Sequence, residues 1–155
     1  MSFAIGLENT KFDVNVGTVL RSAFNFGASL VFTVGRRYTR QCSDTTAASR
    51  HVPTLHFATW DEAWAHLPYG WMPVGVELVD GAELLPTFPH PKSAVYLFGP
   101  EDGGLSKAVQ GRCAAVIRVP CNRCLNLAVC AAVVMYDRTR NAVLAGLEKG
   151  ASDGT

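Results

Sequence analysis

Asn15-Val-Gly-Thr-Val-Leu-Arg21 is the stretch of this chain that decides its fold. Its apolar residues have the spacing of a helix that buries one face, and Gly27 is a typical helix-ending residue. Short apolar segments that are typical of buried strands lie on both sides of it, at Phe3–Leu7 and Leu30–Val34. A strand, a helix and a second strand in this order predict an α/β fold with a mostly parallel sheet flanked by helices.

The remaining segments extend this pattern. The further predicted elements are a short helix at Trp60–Leu67, strands at Met72–Leu78, Ala94–Phe98 and Ala115–Val119, and a long helix at Leu125–Leu144. Prolines interrupt residues 80–92, so this segment is predicted to be a loop with at most one turn of regular structure. We expect a single domain over residues 1–145, followed by a small, polar, flexible tail at 146–155.

The composition is that of a globular protein. Of 155 residues, 48% are hydrophobic and 17% are charged, which favours a folded chain over a disordered one. The net charge of +1 gives no general positive field, so binding of a nucleic acid would require locally concentrated cations. The longest apolar run, Leu127–Tyr136, is much shorter than the roughly 20 residues of a membrane span. Five cysteines without a recognisable signal peptide predict reduced thiols in the cytoplasm.

A glycine-bearing turn follows the clearest predicted strand, in Leu97-Phe-Gly-Pro-Glu-Asp-Gly-Gly-Leu-Ser106. Its glycines would let a flat ligand approach backbone N–H and C=O groups closely, with the carboxylate of Glu101 at the rim. The stretch lacks the glycine fingerprint of dinucleotide-binding folds and the lysine of a phosphate-binding loop. A plain strand-to-helix turn would have the same residues, so this signal alone is weak.

Three polar residues stand at helix starts or on the first helix. Asn15 and Asn126 each have the character of a helix N-cap, and both helices follow strands, so both residues are expected at the carboxyl edge of the sheet. Arg21 lies at the border of the apolar stripe, where an arginine is usually solvated. In a binding site at that edge it could instead hold a phosphate or a ribose hydroxyl.

One cationic cluster contains an aromatic residue. It consists of Arg36, Arg37, Tyr38, Arg40 and Arg50. Its first part directly follows a predicted strand, so it should emerge at the same edge as the other candidates. A solvated loop is the common explanation of such a run, but phosphate contacts with base stacking on Tyr38 would need the same residues.

Cys121-Asn-Arg-Cys124 suggests a zinc or redox site at first sight. A structural zinc site needs about four ligands, and no second CxxC or HxxxH is present. The motif also lies late in the chain, whereas a thioredoxin-type motif follows an early strand. We therefore predict no metal and disfavour a redox function.

Taken together, the first stretch, the glycine turn and Val119-Pro-Cys-Asn-Arg-Cys-Leu-Asn-Leu-Ala128 resemble the three motifs of the SpoU branch of the SPOUT (α/β-knot) RNA methyltransferases. The resemblance implies transfer of a methyl group from S-adenosylmethionine to RNA, usually to a ribose 2′-hydroxyl of tRNA or rRNA. It implies that Arg21 is the catalytic arginine and that Asn15, Glu101 and Asn126 assist it. It implies donor contacts at Val76, Glu77, Phe98, Gly99, Gly103, Val119, Cys124 and Leu125.

The resemblance also implies a C-terminal trefoil knot and a homodimer whose active sites are completed across the interface. It implies an RNA partner, with no DNA, no membrane and no metal. Cys124 departs from the family pattern, in which many members have a serine. Two other readings remain: a catalytically silent, dimeric RNA-binding knot protein, and a nucleotide-binding oxidoreductase, which the missing glycine fingerprint in the first turn disfavours.

Overall fold

The computed structural model describes residues 2–39 and 48–152, with side chains up to 146. The strands are β1 (Ser2–Glu8), β2 (Leu30–Val34), β3 (Thr54–Phe57), β4 (Met72–Val76), β5 (Glu83–Leu84), β6 (Ser93–Phe98) and β7 (Ala115–Arg118). The helices are α1 (Asp13–Phe26), α2 (Trp60–His66), α3 (Lys107–Gln110) and α4 (Leu127–Ser152), with single 3-10 turns at Ala48–Arg50 and Leu85–Thr87.

The described strands form one parallel sheet in the order β3-β2-β1-β6-β4-β7-β5. Because all neighbours run in the same direction, every strand ends at one edge, which we call the carboxyl edge. Gly6 in the interior strand β1 is required by packing, since a Cβ atom there would lie 2.5 Å from the ring of Phe32 and 2.8 Å from Leu97. The predicted α/β class with a parallel sheet is confirmed.

Helices cover both faces of the sheet. On one face α1 and α4 pack on each other and on apolar residues of alternating strand positions, such as Ile5 and Tyr96. On the other face, residues of the opposite alternation, such as Phe32 and Leu97, pack beneath α2 and α3. No described helix, including the 26-residue α4, is apolar enough over a sufficient length to cross a membrane.

Several predicted boundaries differ from the observed ones. The strand β3 and the short helix α3 were not predicted, and residues 80–92, predicted to be a loop, contain the two-residue strand β5, which pairs with β7. The helix α4 continues through Ser152, past the predicted end at Leu144 and into the predicted tail. Asn15 is not the N-cap of α1. The helix begins at Asp13 with Phe12 at the cap position, so the amide of Asn15 is released for contacts with other segments.

A buried polar cluster fixes α4 at the opposite, amino edge. The guanidinium of Arg138 donates to the carbonyl oxygens of Pro91 (2.7 Å), Lys92 (3.0 Å) and Ser2 (3.3 Å), and to the hydroxyl of Tyr96 (3.1 Å). These acceptors satisfy a charged group whose residue is only 4% exposed. Whether the chain threads a knot between these elements stays a prediction.

Candidate functional site

A cavity of about 580 Å³ opens at the carboxyl edge, between the ends of β4, β6 and β7 and the start of α4. We call it the edge cavity. All eight residues that the resemblance implies as donor contacts line it, namely Val76, Glu77, Phe98, Gly99, Gly103, Val119, Cys124 and Leu125. They lie far apart in sequence, and the parallel sheet brings them together because three of their segments leave neighbouring strands at the same edge. Their binding of a donor stays a prediction.

The glycine turn forms one wall of the edge cavity. Gly104 has a left-handed backbone with φ of +65°. Gly99 lies so close to Gly104 that a Cβ atom on it would be 2.1 Å from the carbonyl carbon of Gly104. The carboxylate of Glu77 holds the turn by accepting hydrogen bonds from the backbone N–H of Leu105 (2.5 Å) and of Leu78 (3.0 Å). The side chain of Glu77 is therefore engaged in shaping the wall.

Three predicted catalytic residues form a hydrogen-bonded chain at the mouth of the cavity, here called the polar cluster: Asn15, Glu101 and Asn126. The amide of Asn15 donates to Glu101 Oε1 (2.6 Å), and the amide of Asn126 donates to Asn15 Oδ1 (3.1 Å). Asn126 Oδ1 accepts from the backbone N–H of Ala128 (2.9 Å), so this residue also caps α4. The side chain of Asn126 thus links the start of α4 to the polar cluster.

Glu101 is held as a carboxylate by its neighbours. Partial burial alone would raise the pKa of Glu101, but hydrogen bonds from the backbone N–H of Lys11 (2.9 Å) and the amide of Asn15 outweigh burial and lower the pKa below its ordinary value. The ammonium group of Lys11 also pairs with Asp102. A negative charge next to two amides therefore faces the cavity at neutral pH.

Arg21 does not join the polar cluster in the single chain. It lies in the second half of α1, which runs away from the carboxyl edge, and it is exposed and absent from the cavity lining. Its guanidinium makes no hydrogen bond or ion pair within the described residues. Within one chain, Arg21 and Asn15 therefore do not lie in the same site, and the catalytic role of Arg21 stays a prediction.

The predicted cationic cluster is divided by the structure. Arg36 follows β2 at the carboxyl edge, and its guanidinium donates to the backbone of Thr10 (3.0 Å) and Lys11 and pairs with Asp13. Arg37 is exposed beside it. Arg50 precedes β3 and lies at the amino edge, where His51 stacks on Phe24 near the end of α1.

The other two members of that cluster add little to it. Tyr38 is half-buried and packs against the core beside α1, so its ring is not a free stacking surface. Arg40 lies outside the described residues. Arg36 and Arg50 lie at opposite edges of the sheet, so these residues do not form one basic surface on a single chain. Arg37 and Arg50 are both exposed, and neither guanidinium makes a contact within the described residues. Binding of RNA by members of this cluster stays a prediction.

Three cysteines line the edge cavity: Cys121, Cys124 and Cys130. Burial, with smaller contributions from neighbouring acidic groups, raises the pKa of the Cys130 thiol to about 12. Cys124 is exposed at the cavity. Within the part of the chain that the structure describes, no three His, Cys, Asp or Glu side chains are placed to hold a metal ion.

The chain matches the model of the SpoU rRNA Methylase family over residues 2–136. It belongs to this family. Its structure is similar to that of the AdoMet-bound rRNA methyltransferase from Sinorhizobium meliloti, with a TM-score of 0.78, 24% identity, and coverage of 90% of this chain and 56% of that one. It is also similar to the SpoU methyltransferase AviRb from Streptomyces viridochromogenes in complex with AdoMet, with a TM-score of 0.79, 21% identity, and coverage of 92% and 61%.

A third similar structure concerns the 2-OH methylation of C/U34 on tRNA. Its TM-score is 0.78 at 24% identity, and the match covers 92% of this chain and 97% of that one. The SpoU-family chain thus spans about three fifths of the first two proteins and nearly all of the third. No curated protein matches it by sequence.

Sequence reasoning missed three site residues of this SpoU-family chain. Lys11 and Phe12 precede α1, and Phe12, which is 57% exposed, stands at the cavity mouth beside Asn15. Arg118, the last residue of β7, contributes a positive charge to the lining. A polar residue at the carboxyl end of a parallel strand is a signal that could have found Arg118. Nothing in the sequence around Lys11 predicts that this residue belongs to the site.

Proposed function

We propose that this protein is an S-adenosylmethionine-dependent RNA methyltransferase that acts on a ribose 2′-hydroxyl of tRNA or rRNA. The observation that carries the proposal is the polar cluster of Asn15, Glu101 and Asn126 at the mouth of the edge cavity. Family membership and the AdoMet-bound similar structures support the donor, and the similar structure concerned with 2-OH methylation on tRNA supports the acceptor.

The residues of the edge cavity fit such a donor. Its volume is in the range of small-molecule sites, and apolar side chains such as Val76, Phe98 and Leu125 alternate with exposed backbone of the glycine turn. Glu101 gives a negative charge for a sulfonium, and Arg118 a positive charge for a carboxylate. When bound, the donor supplies a methyl group on a positively charged sulfur, so catalysis requires mainly alignment of the acceptor oxygen and removal of its proton.

The chain's own groups can supply that alignment. Asn15 and Asn126 are held in fixed rotamers by their mutual hydrogen bond and by Glu101, so their remaining polar atoms present a preorganised surface at the mouth. Phe12 gives an exposed ring beside them on which a base can stack. A lowered pKa makes Glu101 a weak base, so we assign it orientation rather than proton removal.

We infer that a second copy of the chain supplies Arg21. An apolar groove runs along α1 and α4 and is lined by Phe26, Val129, Val133 and Tyr136, of which Val129 is 50% and Tyr136 58% exposed. An exposed apolar groove along the longest helix is typical of an interface between copies. Arg21 is a permanent cation, so it is suited to orienting ribose and stabilising developing negative charge.

The test is methyl transfer from tritiated S-adenosylmethionine to tRNA and rRNA, with nuclease digestion to locate the label. We expect donor binding by calorimetry and label in nucleotides whose 2′-oxygen is methylated. Donor binding without transfer to any cellular RNA would favour the catalytically silent RNA-binding protein. Failure to bind the donor would exclude both. Label in the base would retain the enzyme class and exclude the ribose acceptor.

A further inference from the structure

We propose that Arg36 is a positioning residue: it holds the β1–α1 loop, Asn9–Phe12, in the conformation that places Glu101 and Asn15 correctly at the mouth of the edge cavity. The inference rests on the proposed function, because its effect on catalysis requires methyl transfer. The hold on the loop itself can be measured without activity.

Arg36 contacts this loop at several points. Its backbone N–H donates to Asn9 Oδ1 (3.2 Å), and its guanidinium donates to the carbonyl oxygens of Thr10 (3.0 Å) and Lys11. The same guanidinium pairs with Asp13 (3.4 Å) in the first turn of α1, whose side chain is 14% exposed. A planar guanidinium with five donors in a fixed fork is suited to such a multiple contact, and a lysine is not.

The loop has a conformation that needs such support. Asn9 has a φ of +44°, which is uncommon for a residue other than glycine. Its side chain lies against Gly35, where a Cβ atom would be 2.1 Å from Asn9 Oδ1. The neighbouring residue Thr10 is 4% exposed and its hydroxyl has no hydrogen-bond partner in the described part of the chain. Contacts from Arg36 oppose relaxation of this strained segment.

The loop connects Arg36 to the polar cluster. Lys11, whose carbonyl oxygen accepts from Arg36, donates its own N–H to Glu101 Oε2 (2.9 Å). Glu101 Oε1 accepts a hydrogen bond from the side-chain amide of Asn15. The backbone N–H of Asn15 donates to the carbonyl oxygen of Phe12 (3.0 Å) at the start of α1. Arg36 therefore does not contact the reacting atoms. It holds the peptide groups of the β1–α1 loop, and these in turn position Glu101 and Asn15.

Arg37 is the matched control, since it is the next residue, carries the same charge and is exposed without a described contact from its guanidinium. The experiment compares Arg36→Ala, Arg36→Lys and Arg37→Ala in steady-state methylation at saturating donor. We expect Arg36→Ala to lower kcat by about 10- to 100-fold, because a displacement of about 1 Å near the reacting atoms costs that much. Its KM for RNA and its donor affinity should stay within about twofold of wild type.

The two alternatives give different results. If Arg36 contacted RNA phosphate instead, Arg36→Lys would retain most activity and Arg36→Ala would behave like Arg37→Ala, with raised KM and a shallower dependence of affinity on salt. As a positioning residue, Arg36→Lys should lose most of kcat as well. A loss of kcat that only followed the fraction of unfolded protein at the assay temperature would also overturn the proposal.

Amide hydrogen exchange separates this inference from the proposed function. In Arg36→Ala the amide proton of Lys11 should exchange at least about tenfold faster than in wild type, whereas Arg37→Ala should leave it unchanged. Unchanged protection of Lys11 in Arg36→Ala would overturn the positioning role. A wild-type protein that transfers no methyl group would refute the proposed function, and the exchange result would still decide whether Arg36 holds the loop.

Discussion

At the scale of single residues, one side chain often has a local and a distant partner, and sequence patterns reveal only the local one. Asn126 was expected to cap a helix, and it does, while its amide also reaches Asn15 from the other end of the chain. Asn15 was expected to cap α1 and does not. The type of residue was informative for both, but the pairing depends on tertiary structure and came only from the family resemblance.

Arg36 also shows that sequence patterns do not reveal the distant partners of a side chain. An arginine that follows a strand in a run of basic residues has the pattern of a phosphate contact, and no local signal shows that its donors are consumed by backbone carbonyls. Those carbonyls belong to residues about 25 positions earlier in the chain. Only the pairing of β1 with β2 brings the two segments together.

Alkylation provides a residue-scale prediction for three cysteines, of which Cys124 and Cys130 line the edge cavity and Cys113 packs against the core. Burial raises the pKa of Cys113 to about 11 and of Cys130 to about 12, whereas Cys124 is exposed at the cavity. Only thiolates react appreciably, so iodoacetamide should label Cys124 before Cys113 and Cys130 in the folded protein. Saturating S-adenosylmethionine should slow labelling of Cys124 at least about tenfold if the donor fills the cavity. Peptide mass spectrometry in a Cys42→Ser background measures the order.

The contrary result is equally informative. Labelling of Cys130 as fast as Cys124 would contradict the burial argument. Labelling of Cys124 that the donor does not slow would place the donor outside the edge cavity, whereas the denatured protein should label every cysteine alike.

At the scale of elements, long patterned segments were predictable and short ones were not. The apolar run Leu30–Val34 is reproduced residue for residue as β2, because a buried strand of a parallel sheet is apolar on both faces. By contrast β3 contains His56 and the exposed Leu55, and α3 has four residues, so neither has a recognisable period. The predicted end of α4 at Leu144 is too early, because glycine is a poor helix former and Gly146 therefore favours a helix end in the sequence.

The glycine turn gives an element-scale prediction with an internal control. Gly99→Ala should destabilise the protein by about 3 kcal/mol, because its Cβ atom would overlap the backbone of Gly104. Gly103→Ala, in the same turn, meets nothing closer than 3.7 Å and should cost less than about 0.5 kcal/mol. Denaturant unfolding measures the change in the free energy of unfolding for both substitutions. Equal effects of the two substitutions would contradict the tight-turn argument.

The buried cluster that anchors α4 predicts a dependence of stability on pH. Burial lowers the pKa of His90, and the positive charges of Arg138 and Arg140 lower it further. The hydrogen bond to Asp137 raises this pKa, but by less than burial lowers it. Neutral His90 accepts at Nδ1 from the hydroxyl of Tyr96 (2.5 Å) and donates at Nε2 to Asp137 (3.0 Å). Protonation would remove the acceptor for Tyr96, whose oxygen already accepts from Arg138.

Because the folded pKa lies below the ordinary value, the unfolded chain binds the proton first as pH falls. Stability should therefore decrease from about pH 7 towards pH 5, and the decrease should be smaller in His90→Gln. Thermal unfolding across this range measures the effect, with His66→Gln on the surface as the matched variant. An identical pH dependence in wild type and His90→Gln would show that another group is responsible.

At the scale of the whole molecule, the order of the sheet explains how three distant motifs make one site. The strand β4 lies between β6 and β7 in the sheet. The segments that follow Val76, Phe98 and Arg118, the last residues of β4, β6 and β7, therefore leave the same edge side by side. The parallel class could be predicted from the alternation of strands and helices. The order could not, because hydrophobic patterns say which residues are buried and not which strands are neighbours.

Mixed dimers test whether the site is completed between molecules. Arg21 is exposed away from the cavity that holds Asn15, so we expect it to act on the cavity of a second copy. Homodimers of Arg21→Ala and of Asn15→Ala should each retain less than about 1% of activity, since both groups act on the transition state. A dimer with one chain of each kind, purified through two different tags, should recover about half of the wild-type rate, since one of its two sites is intact.

The reciprocal dimer makes the result unambiguous. When one chain carries both substitutions and its partner neither, action in trans leaves each site with one defect, so this dimer should be inactive. Action within one chain reverses the pattern, because the unchanged chain then keeps a complete site and the first mixed dimer has none. The same four side chains are present in both dimers, and only their distribution differs. A difference in rate therefore reports which molecule supplies Arg21 and cannot arise from stability or RNA affinity.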